Sequence, residues 1–121
     1  MLQYQLSTSA QSDIIDILAW THRQFGEVAR KRYEALIVAA LRDIAAQPDR
    51  VGSIKRPELG EAVRSWHLSL SRERARFEGG IVRNPRHFII YRQQSALIMI
   101  ARVLHEAMEL ARHLKAETSW E

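Results

Sequence analysis

A chain of 121 residues, 46% hydrophobic and 26% charged, suits one domain with a true apolar core and is too apolar for global disorder. It contains no cysteine, which excludes a disulfide framework, a thiol nucleophile and a cysteine-ligated zinc. The net charge of +4 is local: residues 62–92 carry seven arginines against Glu73 and Glu78, a +5 that leaves −1 for the rest, so a partner-binding surface and a merely solvated one are both open.

The first residues, MLQYQLSTSA, have no basic region and no long apolar stretch, so no secretory signal is expected. Leu2, Tyr4 and Leu6 alternate with Gln3 and Gln5, the period of a short strand with one buried face. Ser7 or Thr8 then offers a helix cap, and Thr8 with Gln11 has capping-box spacing. Ile14, Ile15, Leu18, Trp20 and Phe25 predict a first helix, with Asp13 and Asp16 near its positive end and Gly26 as its stop. A second helix is predicted over 27–47 from Ala29, Tyr33, Leu36, Ile37, Ala40, Leu41 and Ile44, ended by Pro48. So short a break implies an antiparallel helical hairpin.

Prolines and glycines mark residues 48–62 as a loop. VRSWHLSL then alternates Arg64, Trp66, Leu68 and Leu70 against Ser65, His67 and Ser69, the pattern of a strand. The polar, basic stretch 71–86 reads as a loop, with a hairpin extension turning at Gly79-Gly80 as the other option. HFIIYRQQSALIMIARVLH predicts two strands joined at Gln93-Gln94-Ser95, and Leu97–Leu104 is apolar on both faces, as in a covered strand. Its apolar run Ala96–Ala101 is strand-length, so no membrane span is expected and a cytoplasmic location fits. Met108, Ala111 and Leu114 predict a short last helix. The expected fold is therefore α+β over residues 1–121: an N-terminal strand, a helical hairpin on a small antiparallel sheet, and a short C-terminal helix, with a basic loop inserted at about 71–86.

Five histidines at 22, 67, 87, 105 and 113 lack paired ligand spacing, so neither a metal nor a cofactor is expected. A general acid–base set for RNA cleavage could draw on His67, His87, Tyr91 and His105, but strand alternation points Tyr91 and Arg92 to opposite faces. Arg72, Arg74, Arg76, Arg83 and Arg86 could contact phosphates through the basic loop, yet only Trp66 and Phe77 offer stacking nearby and no nucleic-acid motif is present.

The segments YQLSTSAQSDIIDILAWTHRQFG, RYEAL and above all RHFIIYR and ALIMIARVLHEAMELARHL resemble the ParE branch of the ParE/RelE toxin superfamily. That resemblance implies a type II toxin, held inactive by a ParD-type antitoxin and acting on DNA gyrase so as to block replication, by binding more than by catalysis. The RelE-like alternative, a ribosome-dependent endoribonuclease, is disfavoured by a C-terminus without an Arg/Lys/Tyr catalytic set. The expected partner-binding residues are Arg64, Trp66, Tyr91, Arg92, Arg102 and His105, of which Tyr91-Arg92 and Arg102 with His105 match the family's YR and RVLH motifs. Arg102 pairing internally to Glu106 or Glu109 is the competing role.

Overall fold

The computed structural model describes residues 1–77 and 80–108. Seven regular elements are present: β1 (Gln3–Leu6), α1 (Thr8–Phe25), α2 (Glu27–Ala46), β2 (Ile54–Lys55), β3 (Val63–His67), β4 (His87–Gln94) and β5 (Leu97–His105). All but β2, a two-residue strand inside the expected 48–62 loop, were predicted in this order. Two 3-10 helices, Pro57–Leu59 and Leu68–Arg74, flank β3. Among the described residues, no helix is long and apolar enough to cross a membrane.

The strands form one sheet in the order β1-β5-β4-β3-β2. Four are antiparallel, but β1 joins β5 in parallel, so the sheet is mixed rather than wholly antiparallel. The intervening α1 and α2 supply the crossover that a parallel pairing needs. Gly26 alone separates the two helices, at φ 91°, a left-handed conformation that a side chain would oppose. Ser7, not Thr8, caps α1. Its hydroxyl accepts from the Ala10 N–H at 2.9 Å and donates to the Ala101 carbonyl at 2.7 Å, tying the start of the helix to β5.

The main core lies between the hairpin and the sheet. Tyr33, Leu36, Ile37, Ala40, Leu41 and Ile44 of α2 pack with Trp66, Ile89, Tyr91, Ile98, Ile100 and Val103. The stripe expected on α2 is thus the stripe that is buried. Helix α1 differs: Ile14, Ile17 and Leu18 pack inward, while Ile15, Trp20 and Phe25 are exposed. A smaller cluster of Val63, Phe88, Ile90, Ala101 and Leu104 occupies the second face of the sheet. Residues 106–108 make a turn and a bend; the rest of the expected last helix lies outside the described residues.

A bulge changes which side of β5 faces the helices. Ile90 pairs with Arg102 and Tyr91 with Ile100, leaving Ala101 as the extra residue. Ile98 and Ile100 face the main core, and the inserted residue moves the inward phase to Val103. Where β1 ends, β5 would present an unpaired edge. Asp13 of α1 covers it, its Oδ2 accepting the Val103 backbone N–H at 2.9 Å.

The segment after β3 is more ordered than a loop. The strand stops at His67, whose Nδ1 accepts the Ser69 N–H at 3.1 Å and caps the 3-10 helix in place of the expected Leu68–Leu70 extension. Buried Asp43 of α2 fixes that helix from below: it accepts from the Ser71 hydroxyl at 2.6 Å and from Arg74 Nε at 2.8 Å. Ser71 in turn accepts the indole N–H of Trp66 at 2.9 Å. Further on, Phe77 and Gly80 exchange both backbone hydrogen bonds, and Arg32 Nε of α2 donates to the Phe77 carbonyl at 3.3 Å.

Candidate functional site

An apolar cleft of about 590 Å³ opens between the free end of the helical hairpin, residues 81–86 and the adjoining ends of β4 and β5. Ile17, Trp20 and Phe25 of α1, Tyr33 of α2 and Val82 are among its large apolar and aromatic lining residues. Trp20 and Phe25 meet edge to face with ring centroids 5.8 Å apart, yet stay 49% and 68% exposed. Two large aromatics held against each other in water form an apolar patch of the kind that marks interaction sites. Their position follows from the sequence: an 18-residue helix with Gly26 at its end places both on the last turns of α1.

The cleft has a polar floor, formed where three strands end together. His87 and His105 are partners across β4 and β5, and β3 pairs His67 with Phe88 next to them. The His87 and His105 rings meet at right angles, 5.2 Å apart. Tyr33 of α2 comes down on this group, its hydroxyl 2.6 Å from His87 Nδ1. Burial pushes the Tyr33 phenol up to about 12, against the opposing hydrogen bond from the Arg86 backbone, so it keeps its proton and donates. Burial, and then the neighbouring His105 and His67, pull His87 down to about 4, so its ring is neutral near pH 7. A neutral ring that accepts at Nδ1 carries its proton on Nε2.

The Nδ1 atoms of the other two histidines also face donors. His105 Nδ1 accepts the Ala107 backbone N–H at 3.0 Å, and His67 Nδ1 accepts from Ser69 while its Nε2 lies 3.0 Å from Glu106 Oε2. Arg86 Nη1 bonds the second oxygen of Glu106 at 2.8 Å. That bond, then the one to His67, holds the Glu106 carboxyl below the usual range. No group of three or more potential ligands for a metal ion occurs among the described residues.

The residues expected to bind partners are dispersed. His105 lines the cleft, as does Arg86 of the basic segment. Trp66 and Tyr91, 2% and 1% exposed, are core side chains with no surface to offer; Tyr91 donates to the Pro48 carbonyl at 2.5 Å. Arg64 lies on β3, opposite Tyr91, and donates to Ser53 Oγ at 2.9 Å. Arg92 is half-buried and pairs with Met99 across the strands. Arg102 does pair internally, with Asp13 of α1: Nε and Nη2 grip its two carboxylate oxygens at 2.7 and 2.8 Å, while Glu109, one of the two partners expected for it, lies outside the described residues.

The basic segment is likewise partly self-paired. Arg72 donates to the Arg83 carbonyl at 3.1 Å, Arg74 to Asp43, and Arg76 to Glu73 at 3.4 Å. Of the acid–base set considered for the sheet, His87 and His105 meet at the cleft and His67 ends the neighbouring β3, while Tyr91 is buried elsewhere and Tyr33 bonds His87 instead. Tyr33 read as one more apolar position of the α2 stripe, and its approach to a histidine 54 residues away left no local signal. Trp20 and Phe25 were legible as bulky residues of α1, though not as exposed ones.

A family model described as the ParE toxin of the type II toxin–antitoxin system, parDE, matches residues 4–110 of the chain. No curated protein matches it.

Proposed function

Because the chain belongs to the ParE toxin family of type II toxin–antitoxin systems, we propose that this toxin blocks DNA replication in the cytoplasm by binding DNA gyrase, and that a ParD-type antitoxin neutralises it. The antitoxin lays an amphipathic segment in the cleft beside Trp20 and Phe25. The observation that carries this reading is the exposed aromatic pair at the mouth of an apolar cleft, a surface that costs solubility unless something covers it.

Action by binding is enough for a poison: a protein that prefers the DNA-cleaved state of gyrase raises its population without breaking a bond. Tyr91 is buried and Arg102 is held by Asp13, so neither is placed to act on a phosphate.

Two experiments test the reading. Trp20→Ala and Phe25→Ala should abolish retention of the antitoxin encoded beside the toxin while leaving the unfolding midpoint nearly unchanged, because both rings are largely exposed. Purified toxin should also increase linear DNA in a reaction of gyrase, ATP and supercoiled plasmid. A second reading, the RelE-like ribosome-dependent endoribonuclease, is favoured by the convergence of His67, His87 and His105. Cleavage of ribosome-bound messenger RNA by the purified protein, with gyrase unaffected, would establish it in place of the first.

A further inference from the structure

The floor of the cleft is built almost entirely of donors. His87 Nδ1 is occupied by the Tyr33 hydroxyl and His105 Nδ1 by the Ala107 N–H, so each ring has only its Nε2–H left to offer. Arg86 and Arg32 reach the same cleft. A guanidinium has five N–H groups, and the bonds to Glu106 Oε1 and the Phe77 carbonyl engage one on each. One acid, Asp16, lines the α1 side. Thr21 and Asn84 add a hydroxyl and an amide to the lining, and the rest of the wall is apolar. An occupant made only of hydrocarbon would strip water from the donors and give nothing back, which costs binding energy. An amide would turn half of its polar atoms, the NH₂, toward donors. A carboxylate is acceptor-only and forms the stronger, charge-assisted bonds with imidazole and guanidinium N–H groups.

We infer that the polar end of this cleft is a carboxylate-binding subsite, filled by an aspartate or glutamate that stands beside a bulky apolar side chain in the antitoxin segment. The inference rests on the antitoxin docking proposed above and adds the chemistry of the contact. The apolar neighbour packs between Trp20, Phe25 and Val82, and the acid reaches past it to His87, His105 and Arg86. Discrimination comes from the donors: a partner lacking the acid leaves them unpaired and desolvated, a larger penalty than a missing methylene would bring.

The test uses the free, full-length toxin and two probes of matched shape, 4-phenylbutyrate and 4-phenylbutyramide. Binding is followed at pH 7 and low salt through the imidazole resonances of His87 and His105. The acid should bind roughly tenfold more tightly than the amide and shift both rings. His105→Phe keeps an aromatic ring against His87 but removes an N–H, and should narrow the preference. Arg86→Gln should do the same, and its solvent-exposed ion pair makes it safe for the fold. Equal affinity for the two probes, no binding of the acid, or shifts confined to other residues would overturn the inference. Those outcomes leave antitoxin docking untouched. Conversely, an antitoxin that binds Trp20→Ala normally would refute the docking while the acid preference stood.

Discussion

Removing the Asp13 carboxylate should unfold the toxin more readily than any surface change. Asp13 accepts three hydrogen bonds: Arg102 Nη2 at 2.8 Å, Arg102 Nε at 2.7 Å and the Val103 backbone N–H at 2.9 Å. The side chains of Arg102 and Asp13 are 18% and 14% exposed, so the pair is mostly withdrawn from water. Hydrogen bonding to Asp13 raises the Arg102 pKa further, in keeping with a tight pair. Asp13→Ala removes both Arg102–Asp13 bonds from a largely buried guanidinium and takes the acceptor from a strand-edge N–H, and breaking such a pair costs about 3–5 kcal/mol. Partial exposure puts the expected loss near the low end, about 3 kcal/mol, or roughly 10 °C in midpoint for a domain of this size. Equilibrium unfolding in urea, with a double-mutant cycle on Arg102→Ala, measures both the loss and the coupling. Asp13→Leu with Arg102→Met should recover much of the stability, since a well-packed apolar pair avoids the desolvation cost. A loss within about 0.5 kcal/mol, the range of surface sites, would refute the reasoning and return Arg102 to the candidate partner surface.

Leu41, 4% exposed in the core between α2 and the sheet, should cost about 2–5 kcal/mol on substitution by alanine, and a surface-sized loss in the same urea assay would mean that α2 faces the other way. His87 has a folded pKa near 4 against an ordinary 6.5, so as the pH falls the unfolded chain takes up this proton first. Its contribution is therefore whole above about pH 6.5 and is lost as the pH drops toward 4, at most about 1.4 kcal/mol per pH unit. Unfolding midpoints of the wild type should fall more steeply over that window than those of His87→Phe; parallel profiles would show that burial of the ring does not govern its titration.

Local periodicity was enough for the elements, because each is set by which residues a helix or strand can place on one face. The α2 stripe at spacings of three and four is the buried stripe, and Gly26 and Pro48 bound the helix where the backbone requires. The family was reached by a different route, the resemblance carried by RHFIIYR and ALIMIARVLHEAMELARHL. Periodicity overextended β3 to Leu70 and left 71–86 as a loop because the forces that wind Leu68–Arg74 come from Asp43, 28 residues from Ser71. Trp66, expected among the partner-binding residues, is instead buried, its indole N–H bonded to Ser71.

What the sequence by itself determined is the order of the elements other than β2, the α2 core face and, through a resemblance, the kind of protein this is. What only the tertiary structure decided is where the polar groups meet. Asp13 and Arg102 are 89 residues apart, and Tyr33 and His87 are 54. No periodicity links such pairs. The bulge at Ala101 is the clearest case: counting from Ile98 and Ile100, alternation turns residue 102 inward and both Val103 and His105 away. One extra residue reverses that phase, packing Val103 into the core and bringing His105 against His87 at the cleft. Side-chain direction along a strand is a running count, and a single unpaired residue, held by the Ser7 hydroxyl on its carbonyl, changes the sign of every position after it.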